Sequence, residues 1–381
     1  MKRVRTIVSL LLVISIAFPT MIGAGAISAE EITAPAAVLM DAQTGKVLYE
    51  KNPHEVRACA SITKVMTLLL VMEAIDSGKI AMTDQVTASE HASSMGGSDI
   101  WLEPGEVMTV DEMIKATVVA SANDAAVALA ELVSGSEEAF VNEMNQKAED
   151  LGMAETVFKN CNGLDEEGHV TSAYDVAVMS KELMKHNQIF QYTSIWIDYL
   201  RDGKTQLVNT NKLLKSYQGI TGLKTGTTSQ AGSCISATAT RGELSLIAVV
   251  LGSATGKDRF KDAADLLDHG FANYTMLVPT LPENALVPIR VSGGMQSTVD
   301  TKANLTGSCL IPKGKEKMVT NTVELSEEIE APVEEGQQVG KIIYQLDGKT
   351  IAEYPITAVS AVDEMSFFSV FEILLKQMVS M

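Results

Sequence analysis

Apolar and polar positions divide the chain into stretches of different period. From Ala36 the run AAVLMDAQTGKVLYEKN alternates on either side of Asp41 to Gly45, which predicts a β-hairpin. Ile62 to Ile75 is apolar at helical spacing, and residues 111 to 133, rich in Ala and Val, read as a second helix. GSCISATATRGELSLIAVVLGSA is a further hairpin turning at Arg241-Gly242, and GKDRFKDAADLLDHGF over 256 to 271 is a closing helix. Hairpins at both ends of a segment with helices inserted between them predict an antiparallel sheet in an α+β domain.

The texture changes after Pro279. Helical periodicity stops, and short β-rich segments follow: Leu286 to Val291, Lys317 to Val323, Gly340 to Leu346 and Thr350 to Val359. Turn residues such as Ser292-Gly293-Gly294 and Asp347-Gly348 separate them, predicting a small all-β domain over 279–362 behind a linker at Val278 to Glu283. The last segment, 363–381, is amphipathic. Phe367, Phe368, Val370, Phe371, Leu374, Leu375, Met378 and Val379 share one face at 100° per residue. Ser366, Ser369, Glu372, Lys376, Gln377 and Ser380 share the other, and Ile373 falls on the wrong side. This reads as a helix lying in a membrane interface, with a helix docked on the β domain as the alternative; its polar face holds only one Lys.

At the N-terminus, Lys2, Arg3 and Arg5 precede an apolar run from Ile7 to Phe18, and small residues follow at Ala24-Gly25-Ala26 and Ile27-Ser28-Ala29. Residues 1–29 therefore read as a secretory signal peptide, the run being short for a membrane span. The remainder, 30–278, is the expected main domain. A net charge of −18, from 30 Lys+Arg against 48 Asp+Glu, argues against a nucleic-acid partner. The cysteines Cys59, Cys161, Cys234 and Cys309 form no CxxC pair, and with 5 His they suggest no zinc site. They read as small buried hydrophobes, although an exported chain leaves one disulfide open.

Candidate chemistry lies in three short motifs. Ser61-Ile62-Thr63-Lys64 opens the first apolar helix. Residues i and i+3 share a helix face, so the Lys amine can reach the Ser hydroxyl and act as its base if burial lowers its pKa. Alone, the pattern is common, and Ser61 could equally be a helix cap. Ser121-Ala122-Asn123 interrupts a run of small apolar residues, as a functional pair or as a capped turn. Lys224-Thr225-Gly226-Thr227-Thr228 precedes the second hairpin, where a glycine lets a ligand backbone approach a strand.

Order and spacing change the weight of these motifs. S-x-x-K, S-D-N and K-T-G in this order are a known signature of penicillin-binding proteins and class A β-lactamases. The sequence resembles the low-molecular-weight penicillin-binding proteins of the D-alanyl-D-alanine carboxypeptidase family. Flanking segments, among them Lys159-Asn160-Cys161-Asn162-Gly163-Leu164-Asp165 and Thr221-Gly222-Leu223-Lys224, extend the resemblance over nearly the whole chain after residue 29. It implies a transpeptidase-like fold with an inserted helical subdomain. It also implies metal-free and cofactor-free acyl transfer on peptidoglycan stem peptides, and covalent inhibition by β-lactams. Carried over by residue, Ser61 would be the nucleophile and Lys64 its base. Ser121, supported by Asn123, would relay a proton to the leaving amine, with Lys224 tuning the relay. Thr225, Gly226, Thr227 and Arg259 would bind substrate, and the N–H groups of Ser61 and Thr227 would form the oxyanion hole.

One departure bears on activity. The second motif is Ser-Ala-Asn, not Ser-Asp-Asn, and no E-x-x-L-N lies between Ser121 and Lys224. This disfavours the rival reading of a class A β-lactamase, as does the extra β domain, and implies a persistent penicilloyl ester. A third reading, a cell-wall-binding module without turnover, conflicts with the intact Ser, Lys, Ser, Asn and Lys set.

Overall fold

A computed structural model describes residues 31–379. The expected signal peptide, 1–29, and the final two residues of the amphipathic segment fall outside the described residues.

The first hairpin forms as expected from β1 (Ala36–Asp41) and β2 (Val47–Lys51). Its turn is built by Asp41, whose carboxylate accepts the Thr44 N–H at 2.8 Å and the Thr44 hydroxyl. A 3₁₀ turn, Ala60–Thr63, leads into α1 (Lys64–Asp76). From Lys64 through Met72 every residue of α1 is buried, so this helix, apolar on all sides, runs through the protein interior.

The single helix expected over 111–133 is two helices. α2 (Val110–Lys115) starts from a Thr109/Glu112 capping box, widens into one π turn over Ala116–Ala120, and stops at Ser121, whose φ is +62°. The chain restarts as α3 (Asn123–Ser134). Contacts with the 96–102 loop hold the break open. Ser98 O accepts the Asn123 N–H at 2.6 Å, and the buried Asp124 carboxylate takes the N–H groups of Ile100 and Leu102.

Further on come α4 (Glu137–Asp150) and α5 (Ala173–Leu183), then β3 (Ile220–Thr228), β4 (Gly232–Arg241), β5 (Leu244–Ser253) and α6 (Gly256–Asn273). The five strands form one antiparallel sheet in the order β2-β1-β5-β4-β3, joining the two hairpins through β1 and β5. Strand alternation separates two cores. Val38, Met40, Ile247, Val249 and Leu251 face the helical side with α1 and α5. Ala37, Leu39, Leu246, Ala248 and Val250 face Leu266, Leu267 and Phe271 of α6. β3, carrying the third motif, is the sheet edge beside the Ala60–Thr63 turn.

After α6, Tyr274–Leu277 pairs antiparallel with Cys309–Pro312. Beyond it, a three-stranded and a four-stranded sheet enclose a separate core that includes Ile289, Val291, Ile342, Tyr344, Tyr354 and Ile356. The expected strands appear as Ile289–Ser292, Thr320–Leu325, Gln338–Leu346 and Lys349–Ala358. The short strands Thr298–Val299, Thr301–Ala303, Cys309–Pro312 and Glu328–Glu330 are additional. The C-terminal segment is helical over Phe367–Val379, with Phe367, Phe368 and Met378 78%, 80% and 75% exposed. No described helix is long and apolar enough to cross a membrane. All four cysteines are free and buried, so none is paired.

Candidate active site

The three motifs converge where α1, the α2/α3 break and strand β3 meet. Ser61 sits on the turn at the N-terminus of α1, and one helical turn later Lys64 brings its Nζ to 3.1 Å from Ser61 Oγ. Lys64 is fully buried. Its Nζ donates to Asn123 Oδ1 at 2.5 Å and to the carbonyl of Asn162 at 2.6 Å. Both partners are acceptors only. In the neutral amine these two bonds take both N–H groups and leave the lone pair facing the Ser61 hydroxyl. Burial lowers the Lys64 pKa to about 7, with Asp99 and Asp124 among the charges opposing the shift.

The second pair mirrors the first. Lys224 on β3 is buried, and its Nζ donates to Ser121 Oγ at 2.8 Å and to Thr225 O at 3.0 Å. Burial, followed by the charges of Lys64 and Arg259, pushes Lys224 well below the ordinary lysine range. Asn123 ties the first pair to the 96–102 loop: its Oδ1 accepts from Lys64, and its Nδ2 donates to Gly96 O at 2.6 Å. The left-handed backbone at Ser121 thus turns one hydroxyl and one amide into the same space.

Strand β3 closes the site from the other side. Gly226 presses against the Ser61 turn so closely that a Cβ there would stand 2.8 Å from Cys59 O and 2.9 Å from Ser61 N. Only glycine allows that backbone-to-backbone approach. Thr225 Oγ1 donates to Thr210 Oγ1 at 2.6 Å. Arg259, from the first turn of α6, donates through Nη1 to Gly226 O and Thr227 Oγ1, both at 2.8 Å, and to Cys234 O at 3.3 Å. Its guanidinium lies over the Phe260 ring, and burial lowers its pKa.

All nine residues singled out from the sequence, Ser61, Lys64, Ser121, Asn123, Lys224, Thr225, Gly226, Thr227 and Arg259, are therefore brought together. Three further contributors escaped the sequence reading. Asn162 acts through a main-chain carbonyl, which no residue type encodes. Thr210 reaches Thr225 from 15 residues away. Asp165 accepts the Thr228 hydroxyl at 2.6 Å, tying the 160–168 loop to the end of β3. The NCNGLD segment was the available signal for two of these.

A serine hydroxyl facing a buried, pKa-lowered amine, beside a second such pair and a strand edge, defines a serine peptidase site on a transpeptidase-like fold. The comparisons agree. Residues 24–255 match the Peptidase S11 model, described as D-alanyl-D-alanine carboxypeptidase, and residues 279–364 match the penicillin-binding protein 5 C-terminal domain. The chain belongs to the D-alanyl-D-alanine carboxypeptidase family. It is 46% identical over 340 residues to D-alanyl-D-alanine carboxypeptidase DacF of Bacillus subtilis, covering 88% of this chain and 87% of that protein. Penicillin-binding protein 5 of Haemophilus influenzae superposes with a TM-score of 0.77 at 34% identity, over 89% of this chain and all (100%) of that one. Penicillin-binding protein D2 of Listeria monocytogenes, solved in its ampicillin-bound form, gives 0.55 at 34% identity over 63% of this chain and 98% of its own.

Proposed function

We propose that this chain is an exported D-alanyl-D-alanine carboxypeptidase that trims peptidoglycan stem peptides through an ester on Ser61. The observation that carries the reading is the buried Lys64 amine, bonded to two carbonyl acceptors and 3.1 Å from the Ser61 hydroxyl, toward which its lone pair points when the amine is neutral. Lys64 takes the hydroxyl proton as Ser61 attacks the penultimate D-alanine carbonyl. The N–H groups of Ser61 and Thr227 hold the developing oxyanion. Ser121, held by Lys224, passes a proton to the departing D-alanine amine, and water then resolves the ester. Thr225, Thr227 and Arg259 line the side that receives the terminal carboxylate. Incubating the purified protein with a peptide ending in D-Ala-D-Ala and measuring free D-alanine tests the reading. No release over a heat-inactivated control would refute it. β-Lactams, whose ring carbonyl mimics the same peptide bond, are expected to acylate Ser61, as the ampicillin-bound relative supports.

Arg259→Ala is expected to raise KM about tenfold for peptides with a free terminal carboxylate, through loss of a charge-assisted contact, and to leave amide-capped analogues much less affected. Because Arg259 also tethers β3 through Gly226 O, the capped substrate serves as the control for strand displacement. Equal effects on both substrates would place Arg259 outside carboxylate recognition.

The substrate lies outside the cytoplasmic membrane, in keeping with the signal-peptide pattern over 1–29. The exposed faces of Phe367, Phe368, Phe371, Leu375 and Met378 support a helix that lies on the membrane surface rather than one docked on the β domain. Each large side chain that enters the acyl boundary contributes roughly 1.5–3 kcal/mol, so three or four suffice for peripheral attachment. The helix carries a Glu372–Lys376 pair and little net charge, so attachment should depend weakly on salt. Truncation after Val362 is expected to leave an active enzyme that no longer co-sediments with lipid vesicles. Unchanged co-sedimentation would remove the helix from that role.

A further inference from the structure

His169 takes no part in the mechanism above, yet it is 4% exposed and hydrogen-bonded on both ring nitrogens. The Lys159 backbone N–H donates to His169 Nδ1 at 3.1 Å. A neutral ring that accepts at Nδ1 carries its proton on Nε2. Nε2 lies 2.7 Å from Thr63 Oγ1, so it donates there, and the hydroxyl donates its only proton to the Ala60 carbonyl at 2.9 Å. Ala60 immediately precedes Ser61 and has a φ of +51°, a left-handed conformation that a non-glycine residue keeps only where its surroundings enforce it. Gly163 bars the opposite side, where a Cβ would stand 2.1 Å from the same carbonyl oxygen.

We infer that His169 is a positioning residue for acylation: through Thr63 it fixes the Ala60 carbonyl, and so aims the Ser61 amide and hydroxyl. The inference rests on the reading of Ser61 as the acylated group. Burial holds the His169 pKa at about 4, against Glu166 and Asp165 and together with Lys159, so the ring stays neutral where Lys64 titrates. Phe158 meets the ring edge-on. The other neighbour of Thr63 Oγ1 is the Cys59 thiol at 3.4 Å, pushed by burial up to about 12 and hence also neutral. The directed chain from Lys159 N–H to Ala60 O is therefore intact throughout the working range.

Two pairs of variants in the full chain test this. His169→Asn keeps an acceptor near the Nδ1 position but has no donor to reach Thr63, whereas His169→Gln can place an amide N–H near the Nε2 position. Thr63→Val removes the hydroxyl, and Thr63→Ser restores it. Acylation by a fluorescent penicillin is followed by stopped flow, and folding by thermal melting. The maximal acylation rate is expected to fall about 10- to 100-fold in His169→Asn and Thr63→Val, because small misplacements of an attacking group carry costs of that order. The half-saturating concentration should move less than about threefold, and His169→Gln and Thr63→Ser should recover most of the rate. Equal losses in all four variants, or a loss seen in half-saturation as much as in rate, would overturn the inference, as would an unchanged rate in His169→Asn. If His169→Asn fails to fold, the Thr63 pair decides. Ser61→Ala separates the two claims: labelling that survives in that variant refutes the assignment of Ser61, whatever the His169 variants show.

Discussion

Ser61→Ala yields a folded protein that takes up no labelled penicillin and releases no D-alanine. The expectation is absolute because the ester has no alternative site. The other hydroxyls in the cleft are engaged elsewhere: Ser121 Oγ accepts from Lys224 Nζ at 2.8 Å, Thr225 Oγ1 donates to Thr210 Oγ1 at 2.6 Å, and Thr227 Oγ1 accepts from Arg259 at 2.8 Å. The substitution removes one half-buried oxygen from a turn whose remaining bonds run through Thr63 and Cys59, so the melting temperature should move little. Intact-mass spectrometry after exposure to benzylpenicillin reads both outcomes. An adduct in the variant would move the nucleophile elsewhere.

Lys64→Ala is expected to slow acylation by on the order of 10²–10⁴, the usual cost of losing a general base. The pH dependence supplies a second readout. The amine accepts a proton only when neutral, and its pKa of about 7 puts the acid limb of the wild-type acylation rate there. The rate should rise about tenfold per pH unit below that value and level off above it. In Lys64→Ala this limb should vanish. An ordinary lysine pKa near 10.4 would leave far less than a per cent of neutral amine at pH 7, so burial alone raises the competent fraction about a thousandfold. A wild-type profile flat from pH 5 to 8 would require a different base.

Both predictions rest on geometry only partly legible in the sequence. The two hairpins, α1 and the strands from 338 onward follow from local period and turn residues, and each appears within a few positions of its expected bounds. The break at Ser121 does not. VVASANDAAVALAELV has helical composition throughout, and what opens it is tertiary: the Ser98 carbonyl on the Asn123 amide and the hold of Asp124 on Ile100 and Leu102. Edge strands of two to four residues, such as Thr298–Val299 and Glu328–Glu330, carry too few residues to set a period. The site divides in the same way. Ser61, Lys64, Ser121, Asn123, Lys224 and the strand that follows form recognisable motifs. The Asn162 carbonyl, the Thr210 hydroxyl and the His169–Thr63 link to Ala60 depend on chain crossings that no spacing announces.

The four buried free thiols give the molecule an internal set of reporters. A thiolate shielded from solvent cannot be alkylated until the structure around it opens, so modification rates in the native protein measure local unfolding free energies, as amide exchange does. Cys59 and Cys161 lie in the core on the helical side, beside the Ser61 turn and the Asn162 carbonyl, and Cys234 lies on β4, paired with Gly226 of β3. Cys309 belongs to a separate small cluster with Ile311 and Leu346. One chain therefore carries clocks for two regions. Pulsed alkylation resolved by peptide mass would show whether the β-rich C-terminal region opens without disturbing the groups around Ser61, or whether both come apart as one cooperative unit.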